Sequence, residues 1–343
     1  MPVGTRGSVK GLSSADLEDL GVEVTLANTY HLMLRPGAEV VAEMGGIHRF
    51  ASWKGHVLTD SGGYQVLSLA ARVDDDGVTF RSTYDGSSHR LTPEDAVAVQ
   101  GLLGADIQMA LDVCPPLSSS PAGLRQAVDR TVAWGGRARR AHRSGGREGQ
   151  ALFGIVQGGI DEALRAESAR RTVELDFAGY GIGGLSVGET RSEMLGALAP
   201  TVAELPADRP RYLMGVGDPV GLVEAVAVGI DMFDCVLPTR LARHGTAMTA
   251  EGPLRLRNAA FARDGDPIDP ACPCAVCGRW SRAYLRHLLV VGEASARRLL
   301  TMHNLAWILA LVARMRAAIS DGTLTGLRAE LAGQWTRPPS RSA

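Results

Sequence analysis

Residues 229–240, GIDMFDCVLPTR, decide the fold. A short apolar run leads to Asp234 and Cys235, and Pro238 then forbids any further strand pairing. Seven runs of the same kind come before it. They are PVGT from Pro2, VEVTLANTY from Val22, HVLTDSGG from His56, ADIQMALDVCPP from Ala105, ALFGIVQGG from Ala151, GYGIGGLSVGE from Gly179 and RYLMGVGDP from Arg211. Helix-patterned segments separate most of them, including those from Pro121, Asp161 and Asp218. Eight β–α alternations predict an α/β chain whose residues 1–253 form a TIM (β/α)8 barrel. A doubly wound sheet is the alternative, but no G-x-G-x-x-G opens a helix after the first strand.

Two stretches break the alternation. Residues 68–91 alternate polar and apolar side chains around Asp-Gly turns, which predicts an inserted antiparallel hairpin after the third strand. Residues 254–303 carry Cys272, Cys274 and Cys277 in a C-x-C-x-x-C cluster, followed by His303 on a helix-patterned segment. Three crowded thiolates and one imidazole suit a tetrahedral structural Zn2+, one per chain. Three cysteines cannot pair off evenly as disulfides, and Cys114 and Cys235 lie far away. His287 is a rival fourth ligand. His303 is preferred because the longer return lets a helix fold back over the knuckle. A helical segment is expected over 304–332 and a disordered tail over 333–343.

With 343 residues, 45% of them apolar, the chain can bury a large core. No apolar run reaches the roughly 18 to 20 residues that span a bilayer, and no signal pattern opens the sequence, so a cytoplasmic protein is expected. A thiolate metal cluster also needs a reducing compartment. The net charge of −1 gives no global nucleic-acid signature. Locally, Arg240 to Arg298 holds ten arginines against five acids, a plausible phosphate footprint or an ordinary solvated face.

On such a barrel, reactive groups gather at the carboxyl ends of the strands. Asp60, Asp112 with Cys114, Gln157, Gly183 to Leu185, Met214 and Asp234 close successive runs. Asp231 and Asp234 are three apart on one strand and cannot both face inward. Asp234 is nearer the rim, and Asp231 reads as a structural hydrogen-bonding residue. An isolated Asp is usually a cap or turn residue, but crowded carboxylates raise one another's pKa, so one can attack while another carries a proton. Tyr64 and Met214 suit the two faces of a planar heterocycle, whose edge Gln157 and Asp112 can read. Either of the first two alone reads more often as core packing.

Together LANTYHL, LTDSGGYQV, DVCPP, GIVQGG, GGLSVGE, RYLMGVGDP, GIDMFDCVLPTR, CPCAVCGRWSRAYLRHL and LLTMHNL resemble, in order and spacing, the tRNA-guanine transglycosylase family over Pro2 to about Ala332. The resemblance implies a zinc-bearing barrel that exchanges guanine at the wobble position of GUN-anticodon tRNAs for a 7-deazaguanine precursor of queuosine. It makes Asp234 the nucleophile at ribose C1′ and Asp60 the general acid/base. Asp112, Gln157 and the backbone at Gly184 and Leu185 would hold the base, with Tyr64 and Met214 sandwiching it. Cys272, Cys274, Cys277 and His303 match the zinc ligands, and Arg240 and Arg243 match residues that hold anticodon-loop nucleotides.

Cys114 and Val187 match the bacterial pattern, which accepts preQ1 rather than queuine. Bacterial members resemble homodimers joined near the zinc, so Trp280, Tyr284 and His287 face a partner or merely cover the knuckle. Two departures stand out. The chain begins at the family's first barrel strand, without the upstream segment, and Leu241 and His244 replace the asparagines of PTRNARNG. A non-catalytic accessory subunit that binds tRNA is the competing reading, although such a subunit is expected to lose the catalytic carboxylates.

Overall fold

The computed structural model describes residues 1–69, 71–146 and 149–335. Thirteen strands follow in chain order: β1 (Val3–Gly4), β2 (Val24–Ala27), β3 (His56–Thr59), β4 (Arg72–Val73), β5 (Val78–Arg81), β6 (Ser88–Leu91), β7 (Ile107–Met109), β8 (Ala151–Val156), β9 (Gly179–Ile182), β10 (Arg211–Leu213), β11 (Met232–Phe233), β12 (Thr246–Thr249) and β13 (Gly252–Arg255). Eight of them form one parallel sheet in the order β1-β2-β3-β7-β8-β9-β10-β11. A parallel bridge between Pro2 and Cys235 joins its two edges, and Met1 N donates to Phe233 O at 2.8 Å. The sheet is therefore curled round on itself, as a barrel of alternating β and α units requires.

Leu26, Leu58, Met109, Phe153, Ile155 and Tyr212 fill the inside of the curl. A second core packs the strands against the outer helices, among them Glu162–Val173, Arg191–Glu204 and Pro219–Ala227. Short polar side chains start these helices. Asp161 accepts from Leu164 N, Thr190 from Glu193 N and Asp218 from Gly221 N, each cap contributing about 1 kcal/mol. The run from Val22 yields only four strand residues, because Asn28 caps a new helix, Thr29–Leu32, by accepting from His31 N.

The expected antiparallel hairpin after β3 is present as β5-β6, and β4 widens it to a three-stranded antiparallel sheet. Its extra strand pairs Arg72 with Thr79 and Val73 with Val78. The boundary expected at 253/254 cuts β13, which pairs with β12. The one expected at 303/304 falls inside a continuous helix, Ala294–Ser320. A last helix, Leu324–Trp335, takes in residues 333–335, and the remainder of the expected tail, 336–343, lies outside the described residues. No helix among the described residues is long and apolar enough to cross a membrane.

Close packing sets one sharp limit on the sequence. At Gly154 in β8, an added Cβ would collide with the Phe177 ring and with Thr172. Gly154→Ala is expected to destabilise the fold by about 1–3 kcal/mol through overpacking. Chemical denaturation of the two proteins measures it, and equal midpoints would contradict this packing.

Candidate active site and metal centre

The carboxyl ends of β3, β7, β8, β9, β10 and β11 bring Asp60, Asp112, Gln157, Gly184, Met214 and Asp234 to one end of the barrel. Asp60 follows β3 and is held from three sides. Asn28 Nδ2 donates to Oδ2 at 2.6 Å, while the Thr29 and Gly62 amides donate to Oδ1 at 2.9 and 3.1 Å. Those donors favour the charged form, yet burial outweighs them. With the Asp234 and Asp112 charges adding to it, burial pushes Asp60 up to about 7.

Asp234 is half-buried, and its Oδ1 accepts from Tyr212 Oη at 2.6 Å and from Gly215 N at 2.7 Å. Both of these hydrogen bonds fall on Oδ1. Asp231 takes another job, accepting from Arg211 N at 2.9 Å and so pinning β10 to β11. Strand alternation thus separates the two acids.

Asp112 is buried, and its Oδ2 accepts from Gln157 Nε2 at 2.6 Å. Burial raises its pKa to about 6, against the Gln157 hydrogen bond. Gln157 Oε1 is buried without a partner beside Gly184, where any side chain would collide with it. Gly184 is left-handed, with φ +67°, a conformation that glycine adopts without strain. An unpaired amide oxygen facing bare backbone is a feature a hydrogen-bonding ligand edge satisfies. Tyr64 is 60% exposed, and with Cys114 and Val187 it lines a cavity of about 420 Å3. Met214 packs on the barrel-interior cluster. Burial and the Asp112 charge push the Cys114 thiol up to about 12, so it stays protonated and unreactive.

Sequence reasoning missed three contributors. Asn28 and Tyr212, which hold the two acids, sit inside runs that read simply as strand. Arg165 is fully buried on the helix Glu162–Val173, donating through Nε to Gly159 O at 2.7 Å and through Nη1 to Val156 O at 3.2 Å. Its Nη2 has no partner, and burial lowers its pKa to about 10. A buried cation without a carboxylate partner is uncommon, but an arginine within a helix pattern looks like a solvated one. Arg240 and Arg243 lie three apart on the helix Leu237–Arg243, hence on one face of it.

Cys272, Cys274, Cys277 and His303 converge, their ligand atoms all within 4.8 Å of one another. His303 Nδ1 is 3.9, 3.5 and 3.3 Å from the three sulfurs in that order. A tetrahedral zinc with Zn–S of about 2.3 Å and Zn–N of about 2.0 Å separates sulfur and nitrogen by roughly 3.5 Å, so the donors fit. His303 Nε2 donates to Met248 O at 2.8 Å, which leaves Nδ1 as the metal-facing nitrogen. His287 is exposed and stands outside the cluster. The four-residue set is that of a structural zinc.

Two outcomes follow from this geometry. Elemental analysis is expected to find one zinc per chain, and Cys277→Ser or chelation to lower the melting temperature markedly; an unchanged melting curve on metal removal would contradict a structural site. The buried acids give the second. Asp60 and Asp112 both titrate above the ordinary 3.8, so between about pH 4 and 7 the folded chain holds protons that the unfolded chain has released. Stability therefore falls as pH rises through that window, and Asp60→Asn is expected to flatten the fall in urea unfolding; an unchanged slope would oppose it.

The profile of the queuine tRNA-ribosyltransferase family matches residues 1–337. The chain is 51% identical to the queuine tRNA-ribosyltransferase of Solidesulfovibrio magneticus, over 96% of this chain and 89% of the relative. It is 52% identical to that of Moorella thermoacetica, over 96% and 88%. Against that of Sphingopyxis alaskensis it is 49% identical, over 98% and 91%. Matched along nearly its whole length, the chain belongs to the queuine tRNA-ribosyltransferase, or tRNA-guanine transglycosylase, family.

Proposed function

We propose that this transglycosylase exchanges guanine at the wobble position of GUN-anticodon tRNAs for preQ1 by double displacement. Asp234 Oδ2 attacks ribose C1′, and the C1′–N9 electron pair leaves with guanine as Asp60 delivers a proton to the base. The glycosyl-aspartate then accepts the incoming base, whose N9 proton passes to the Asp60 carboxylate while the C1′–O bond breaks. Two inversions retain the anomeric configuration.

The observation that carries this reading is the contrast between the two acids. Asp60 titrates at about 7, where an acid gives and takes protons with equal ease, while Asp234 has one oxygen immobilised by Tyr212 and Gly215. Asp112 and Gln157 read the base edge, the backbone at Gly184 and Leu185 completes its pairing, and Tyr64 and Met214 cover its faces. The unpaired Gln157 Oε1 supports that assignment. Arg165, behind Gly184, supplies a fixed positive field to the pocket floor. Cys114 and Val187 leave room for the aminomethyl group of preQ1 and exclude queuine. Arg240 and Arg243 hold the nucleotides that flank the extracted one.

The 254–303 segment carries the zinc and, through Tyr284 and neighbouring residues, joins two copies into a homodimer in the cytoplasm. Labelled guanine offered with unmodified tRNA is expected to be incorporated by the native chain. Asp234→Asn is expected to abolish incorporation, and Asp60→Asn to slow it by about 10²–10⁴-fold. RNA binding without incorporation by the native chain would favour an accessory role instead.

A further inference from the structure

On the same rim, a second cationic feature takes no part in the chemistry above. Tyr84 lies in the turn between β5 and β6, inside the insertion that follows β3. The Arg35 guanidinium sits 4.6 Å from the centre of its ring, and that of Arg6 sits 5.4 Å away. Arg6 follows β1 and Arg35 follows β2, so three successive segments of the rim meet on one aromatic ring. Both arginines are exposed, and neither has a carboxylate partner among the described residues.

Such an arrangement is costly without a purpose. Two like charges on one ring repel each other, and the ring's negative face offsets only part of that. The ring itself is firmly placed. Tyr84 Oη lies 2.8 Å from His31 Nδ1, and Tyr30 Oη lies 3.0 Å from both the hydroxyl and the amide of Thr83. Burial and the Arg6 charge push His31 below the usual imidazole range, so it adds no third charge to the group.

The platform is also tied to the chemistry. His31 N donates to Asn28 Oδ1, and Asn28 Nδ2 holds Asp60, so one turn of helix separates the acid from the support of Tyr84. Because β11 closes on β1, the segments that carry Arg240 and Arg243, then Arg6, then Arg35, then Tyr84 follow β11, β1, β2 and β3, four neighbouring strands of the sheet.

We propose that Arg6 and Arg35, stacked on Tyr84, form a seat for a backbone phosphate of the tRNA anticodon arm. It carries on round the rim, past the reacting nucleotide, from the arginine pair on the helix that follows β11. Planar guanidiniums held over a ring present their N–H edges outward, the geometry that grips phosphate oxygens in pairs. Such a contact orients the RNA and carries no sequence information. The inference rests on tRNA being the substrate.

The test compares the full-length native chain with Arg6→Gln/Arg35→Gln and, separately, with Tyr84→Leu, in guanine incorporation and in direct binding of an anticodon stem-loop RNA across a salt series. The double variant is expected to raise KM for tRNA and Kd for the stem-loop roughly tenfold, with KM for guanine unchanged. It is also expected to lower the salt slope of log K by about one. Tyr84→Leu is expected to weaken RNA binding by a smaller factor, with the arginine charges retained but no longer held together. Native-like tRNA KM and salt slope in the double variant would overturn the seat while leaving base exchange intact. A native chain that incorporates no guanine into tRNA would overturn the base-exchange reading and the seat with it.

Discussion

Crowding negative charge where water is scarce is the constraint on which the structure turns. Asp60, Asp112 and Asp234 share one mouth, and each has a different environment. Asp234 receives a phenol and an amide, Asp112 receives a side-chain amide, and Asp60 receives three donors yet is buried enough to keep its proton near neutrality. If all three were solvated alike they would all be plain anions, and none could move a proton. The donors come from β2, β3, β8 and β10 and the segments that follow them, so only the curled sheet can assemble the set.

The zinc site contributes at a distance. His303 binds on the knuckle side of the helix Ala294–Ser320, and its neighbour Asn304 faces the barrel. Asn304 accepts from Met248 N at 2.8 Å and donates to Pro238 O and Thr246 O at 3.0 and 3.1 Å. One turn of helix therefore fastens the thiolate knuckle to the segment that leaves β11, the segment that carries Arg240 and Arg243. The metal site is a fixture for that segment, and its closed set of four protein donors leaves no open corner for substrate.

Much of this was legible in the sequence, and the reasons are local. Strand runs ending in Gly, Asp or Pro state the alternation directly, and C-x-C-x-x-C with a later His on a helix states the knuckle. Asp234 could be told from Asp231 because counting along the strand forbids both from facing inward and Asp234 stands nearer the rim. What stayed hidden depends on neighbours far away in the chain. Asn28 looks like the end of a strand until Asp60 is placed beside it, 32 residues on. Tyr212 looks like core until Asp234 accepts its hydroxyl, and Arg165 looks solvated until strand β8 covers it. The third strand of the insertion, β4, is two residues long and carries too little pattern to announce itself.

The seam of the barrel has a consequence of its own. Met1 and Pro2 dock on Phe233 and Cys235, the residues on either side of Asp234, so the Asp234 carboxylate projects from the stitch that joins the first strand to the last. Most of a closed sheet shares any slack among many hydrogen bonds, whereas a stitch this short has few to share it. Loosening it would shift the Asp234 carboxylate along the barrel wall while Asp60, anchored two strands further round, stayed in place. The register of a few residues at the opening of the chain thereby sets the span between the Asp60 and Asp234 carboxylates.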